Sequence, residues 1–174
     1  MIVPVILYGS PVLRKNSEEV TEDDNISLFS DDLFETLRKA EGVGLAAPQI
    51  NFLKRVFVID TTPLIKDSIT VENFTGIFIN PVIIDRAGDE ILYREGCLSV
   101  PEIFEEVSRP EKILVRYQDL QFNTHEEELD GIKARIFQHE YDHLEGILFI
   151  DKINRLRRKL IIGKLNRIKK SSTI

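Results

Sequence analysis

Apolar residues in the first quarter of the chain recur at helical intervals. Ile26, Phe29, Leu33, Leu37 and Ala40 fall three or four residues apart, with Asp31, Asp32, Glu35 and Arg38 between them. This spacing predicts an amphipathic helix over 26–41, and Gly42 suits its C-terminal cap. The pattern then changes to short runs rich in β-branched and aromatic residues at 55–60, 76–85, 90–94 and 111–118. In the last of these, Ile113, Val115 and Tyr117 alternate with Leu114 and Arg116. No helical pattern separates these runs, so antiparallel pairing is expected rather than parallel crossover units. A second long helix is predicted over 130–146, with Asp130 as its N-cap and Gly146 just past its end. Ile132, Ile136, His139 and His143 share one face of it. A third is predicted over 152–168, with Ile153, Leu156, Leu160, Ile161 and Leu165 turned inward among basic residues. The stretch 61–72 is polar, contains a proline and has no clear period, which predicts a mobile loop.

At 174 residues, 43% of them hydrophobic, the chain is long enough for one domain with a real core and short for two. It has no internal repeat or low-complexity tract. Its longest apolar stretches, such as 77–79 and 81–84, fall far short of a bilayer span, and Met1-Ile2-Val3-Pro4 lacks the charged region of a targeting peptide. A soluble cytoplasmic protein with no membrane partner is the expectation. The single cysteine, Cys97, rules out an intramolecular disulfide and fits a reducing compartment.

Charge is divided unevenly. The formal net charge is −6, yet the segment 151–174 carries nine Lys or Arg against Asp151 alone, a local +8 on a body of −14. Such a body repels polyanions, and such a tail attracts them.

The chemistry concentrates in Gln138-His139-Glu140-Tyr141-Asp142-His143. On a helix, His139 and His143 project from one face about a turn apart, close enough to share a metal ion, with Glu140 beside it as an acid or base. A catalytic metal of this kind takes three protein ligands and leaves one position for water. One zinc-protease pattern requires a histidine six residues after His143, and that position is Phe149. A glutamate further downstream is the other common choice, but Glu145 and Asp151 lie too close in sequence to fold back easily. Cys97 and His125 remain, the latter in an acidic stretch that reads as a solvated strand edge. A peptidase that cuts internal bonds with the same groups lacks its third-ligand pattern, and a purely structural site lacks a fourth ligand.

Two further blocks precede the histidine motif: Gly42-Val43-Gly44-Leu45-Ala46-Ala47-Pro48-Gln49 and Glu95-Gly96-Cys97-Leu98-Ser99. The first reads as a permissive small-residue loop, and the second places Cys97 in a glycine-punctuated turn. In this order the three blocks resemble the signature of the peptide deformylases, and the likeness runs from about Pro11 to Asp151. The resemblance implies a single α+β domain with antiparallel strands around a central metal-site helix, an N-terminal helix and a C-terminal helix. Residues 1–150 would form the catalytic part, and 151–174 a basic helix packed on it or extending from it.

The implied reaction is hydrolysis of the N-formyl group from the methionine that begins new polypeptides, releasing formate, in a bacterial-type cytoplasm. The implied ligands are Cys97, His139 and His143, holding one divalent ion, Fe2+ physiologically, with Zn2+, Ni2+ or Co2+ also able to bind. Glu140 is then the acid and base, and Gln49 and the backbone N–H of Leu98 stabilise the oxyanion. Val43, Gly44, Ile132 and Ile136 would meet the substrate, while Glu95 and Asp142, bridged by Arg109, would orient the ligands. Phe104 stands where many members of the family carry an arginine, which implies more apolar recognition beyond the first substrate residue. N-formylmethionyl nascent peptides are the implied partners, with the ribosome as a second through the basic C-terminal segment.

Overall fold

The computed structural model describes residues 1–66 and 72–171. Five strands, β1 (Gly44–Ala46), β2 (Val56–Asp60), β3 (Thr75–Cys97), β4 (Val100–Gln118) and β5 (Thr124–Asp130), pair antiparallel in chain order. The helices are α1 (Ile26–Lys39), α2 (Thr62–Lys66), α3 (Gly131–Leu144) and α4 (Arg155–Ser171). The architecture is a single-domain α+β fold, as expected.

Four details of the strands and of the segment 61–72 depart from the sequence reading. The runs at 76–85 and 90–94 belong to one strand, β3, because the polar residues between them form a register shift between Ala87 and Glu90 instead of a turn. The expected permissive loop contains β1, whose small residues pair with Phe57, Val58 and Ile59 of β2. β5 carries too many acidic residues to show a strand pattern, since only Leu129 of its seven residues is buried. Of the expected loop at 61–72, Thr62–Lys66 is helical and residues 67–71 lie outside the described residues.

Both long helices near the site end in Schellman turns. At α1 the left-handed residue is Glu41 (φ 55), with its N–H on the Arg38 carbonyl and that of Gly42 on the Leu37 carbonyl. Gly42 therefore follows the cap position predicted for it. At α3 the same two bonds run from Gly146 (φ 68) to His143 and from Ile147 to Asp142. Asp130 takes the N-cap backbone position, but its side chain makes no capping bond.

α4 begins later than predicted and presents a different face. Ile161 and Leu165 are buried, while Leu156 and Leu160 are 67% and 68% exposed. The inward stripe runs through Ile161, Leu165 and Ile168, and Arg157, exposed one turn before it, forms a forked pair with buried Glu105 (2.9 and 3.0 Å). That register turns the preceding residues, Leu156 and Leu160, about 100° away. Part of the basic charge is thereby matched by the body, since Lys152 also pairs with Asp142.

Three apolar clusters fill the interior. One lies between the sheet and α3, one between α1 and β1–β2, and one between the start of β4 and α4. The N-terminal segment ties the motif blocks together through the backbone: Ile6 N–H to the Gln49 carbonyl (2.7 Å), Tyr8 to Ser99 (2.7 Å) and Ser17 to Leu144 (2.8 Å).

Candidate active site

The rotation of α3 is set by its apolar side. Phe137 packs edge-on against Phe57 and Phe78, with ring centroids 5.0 and 5.3 Å away. Residues two positions apart on a helix point about 200° apart, so burying Phe137 in the aromatic cluster aims His139 away from it. Cys97 arrives from the end of β3, immediately before the hairpin turn at Leu98 and Ser99. It closes a strand, where its glycine-punctuated block predicts a turn. One ligand atom each from Cys97, His139 and His143 lies within 4.8 Å of the others, and Cys97 Sγ is 3.3 Å from His143 Nε2.

His125 sits elsewhere, on β5, with Nε2 2.7 Å from Asp119 and its ring stacked on Tyr117. Phe149, at the position where the zinc-protease pattern needs a histidine, is buried and stacks on the His139 ring at 5.9 Å. A thiolate and two imidazoles with no fourth protein donor in the group fit a divalent ion that keeps an open position.

Charged residues behind the ligands form a connected set. Glu95 accepts His139 Nδ1–H at 2.9 Å, and Arg109 grips both Glu95 oxygens at 2.7 and 2.9 Å while reaching Asp142 at 2.6 Å. Arg135 adds a bond to Glu95 and another to the Val107 carbonyl, both 2.9 Å. Burial alone would raise the Glu95 carboxyl, but hydrogen bonds from His139 and Arg109 outweigh it and hold the group well below the usual carboxylate range. Asp142 pairs with Arg109 and Lys152 instead of with an imidazole, and His143 Nδ1 is buried with no hydrogen-bond partner among the described residues.

The two imidazoles diverge. Burial disfavours charge on both, yet the bonds to Cys97 and Glu95 carry His139 well above its ordinary range, whereas burial and the His139 charge lower His143. A dication there favours both imidazoles in their neutral form.

Glu140 lies against β1. A Cβ on Gly44 would come within 2.4 Å of Glu140 Oε1, so only glycine leaves room for this carboxylate. Its Oε2 is buried without a partner among the described residues, and burial raises the group to about 7. Gln49 is oriented by the Ala46 N–H, which donates to Oε1 at 2.8 Å. Its amide NH2 therefore faces the centre, 3.5 Å from Cys97 Sγ and 3.1 Å from Ser99 Oγ.

These groups open into a cavity of about 440 Å³. Val43, Leu64, Leu98, Ile132, Ile136 and His139 supply its apolar wall, with Tyr93, Arg94, Pro101 and Phe104 nearby. All the candidate site residues except Arg109, Asp142 and His143 line this cavity, and those three stand behind it. Arg135, Leu64 and Tyr93 join the site without a signal in the sequence reading, while Ser99 comes with the Glu95–Ser99 block. Arg135 is detectable in principle, as a charge four residues before His139 on a face otherwise read as core.

Comparison with known proteins follows the same lines. The profile of the family described as polypeptide deformylase matches residues 2–159. A peptide deformylase of Cytophaga hutchinsonii is 46% identical over 141 residues, covering 80% of this chain and 76% of the relative. The solved peptide deformylase of Thermus thermophilus superposes with a TM-score of 0.87 at 39% identity, over 98% of this chain and 99% of that one. Crystals of the Plasmodium falciparum peptide deformylase give a TM-score of 0.88 at 38% identity, over 97% and 96%.

Proposed function

The chain belongs to the polypeptide deformylase family, and on that premise we propose that it hydrolyses the N-formyl group of the first methionine of nascent polypeptides, releasing formate and a free amino terminus. The observation that carries this reading is Glu140 Oε2, a buried carboxylate oxygen without a partner among the described residues, beside the Cys97–His139–His143 group in the wall of the cavity.

Cys97, His139 and His143 would hold a divalent ion, which when bound would supply Lewis acidity to a water and to the formyl carbonyl. Glu140 takes the proton from the attacking water and returns it to the leaving nitrogen. The NH2 of Gln49 and the N–H of Leu98 donate to the oxygen on which negative charge develops. Val43, Ile132 and Ile136 form a dry pocket for the methionine side chain, and Gly44 lets the base sit flush with the strand beside it. Glu95 fixes the tautomer of His139, while Arg109, anchored by Asp142, fixes Glu95.

We assign ferrous iron as the working metal, which zinc, nickel or cobalt can replace in a site of one thiolate and two imidazoles. The outward basic residues of α4 support docking on ribosomal RNA, and a substrate made by ribosomes supports a cytoplasmic activity. No helix among the described residues is long and apolar enough to cross a membrane.

The test incubates metal-loaded enzyme with formyl-Met-Ala-Ser and with the unformylated peptide, assaying formate and new amines. Formate from the first, with no internal cleavage of either, is the expected result. Cleavage of the unformylated peptide, or no formate, would contradict the reading.

A further inference from the structure

We propose that Arg94, seated on the ring of Phe104 in the wall of the substrate cavity, makes the enzyme prefer an acidic side chain in the residues that follow the formylated methionine. The proposal rests on the deformylase reading above and extends it to the rest of the peptide.

Arg94 belongs to β3 and Phe104 to β4, the two strands of the hairpin that delivers Cys97. The Arg94 guanidinium carbon lies 5.5 Å from the Phe104 ring centroid, a cation–π distance. The ring lies over Gly96: a Cβ there would come within 2.5 Å of Phe104 Cε1 and 2.7 Å of Cδ1. Glycine at the position before the cysteine therefore lets the ring fold down beside the site, and the ring in turn holds the guanidinium there. Phe104 is still 55% exposed, so the pair stands at the open side of the cavity.

The donors of Arg94 are available in a way that those of its neighbours are not. Arg135, which also lines the cavity, is buried and committed to Glu95 and to backbone carbonyls. Arg94 is exposed and forms no ion pair with any of the described residues. A guanidinium lying on an aromatic face keeps the N–H groups at its edge free for a carboxylate, the partner its fork matches best. Two exposed acids oppose it: Glu41, in the same wall at the end of α1, and Glu106, opposite Arg94 across the hairpin. Neither acid forms an ion pair with Arg94, whose guanidinium stays on the Phe104 ring beside the cavity.

The experiment compares formyl-Met-Ala-Glu amide with formyl-Met-Ala-Lys amide on metal-loaded enzyme, each normalised to formyl-Met-Ala amide. The expected preference for Glu in kcat/KM is about two- to five-fold, the range an exposed charge pair supports. It should reside in KM and shrink with added salt. Arg94→Gln should bring the Glu-to-Lys ratio to about one, and Phe104→Leu should reduce it while leaving the charge in place. An equal rate for both peptides on the unaltered enzyme, a preference for Lys, or an unchanged ratio in Arg94→Gln would overturn the proposal. Failure to cleave formyl-Met-Ala amide would instead overturn the deformylase reading itself.

Discussion

Arg109 holds Glu95 through two parallel hydrogen bonds, 2.7 Å from Nε and 2.9 Å from Nη2, and Glu95 passes that constraint to His139. Both members of the pair are buried, with side chains 3% and 4% exposed. The arginine thus acts on the metal group without touching it. Lysine cannot reproduce the fork. Arg109→Lys and Glu95→Gln should each weaken metal binding by about 10- to 100-fold, the usual cost of losing such a support. Competition with a chelator measures this directly, and unchanged metal affinity in both variants would contradict the role.

Gly44 offers a test of the packing around the base. Its φ is not positive, so alanine suits the backbone, but the added methyl must displace the Glu140 carboxylate. Gly44→Ala should bind metal normally and lose about 10²-fold in kcat, the scale on which a displaced catalytic group is felt. Full turnover would show that the contact does not matter.

Asp151 links the N-terminal segment to the helix end of the body. It accepts from the Leu148 N–H at 2.9 Å and from Arg158 at 2.8 Å, and it pairs with Arg14. Burial opposes its ionisation, but these donors win and its carboxyl lies below the ordinary 3.8. A folded-state pKa that is depressed contributes stability above the unfolded value, and that contribution disappears as pH falls through the folded one. Asp151→Asn should therefore cost about 1 kcal/mol in urea unfolding at pH 7, with the gap from the parent closing below about pH 4. A gap that stays constant down to pH 3 would contradict the linkage.

How much of this is legible in the sequence depends on how local each feature is. His139, Glu140 and His143 lie within one helical turn, so their spacing alone places them together. Spacing leaves both Cys97 and His125 open as the third ligand, and the resemblance to a family favours Cys97. The structure puts Cys97 beside the histidines because a 23-residue strand with four register shifts ends there, and no short-range pattern encodes that path. The buried charges are partly readable. Glu95, Arg109 and Asp142 emerge together from the resemblance, yet Arg135 does not, because no short-range pattern shows that Glu95 and the Val107 carbonyl receive the charge it brings to that face. Leu156 and Leu160 fall on the wrong side of α4 since periodicity gives a stripe but not which stripe wins, and here Ile161 and Leu165 are the ones buried, against Leu148, Phe149 and Ile150. The stacking of Arg94 on Phe104 depends on hairpin register and on Gly96, which composition does not reveal.

The most direct measurement of the central claim is formate release by Glu140→Gln with metal content determined on the same sample. This substitution preserves size beside Gly44 but removes the group that accepts the proton. One metal per chain with formate release from formyl-Met-Ala-Ser reduced by at least about 10²- to 10⁴-fold is the predicted result. Near-parental turnover by the metal-loaded variant would contradict the account, because the proton would then be travelling through some other group.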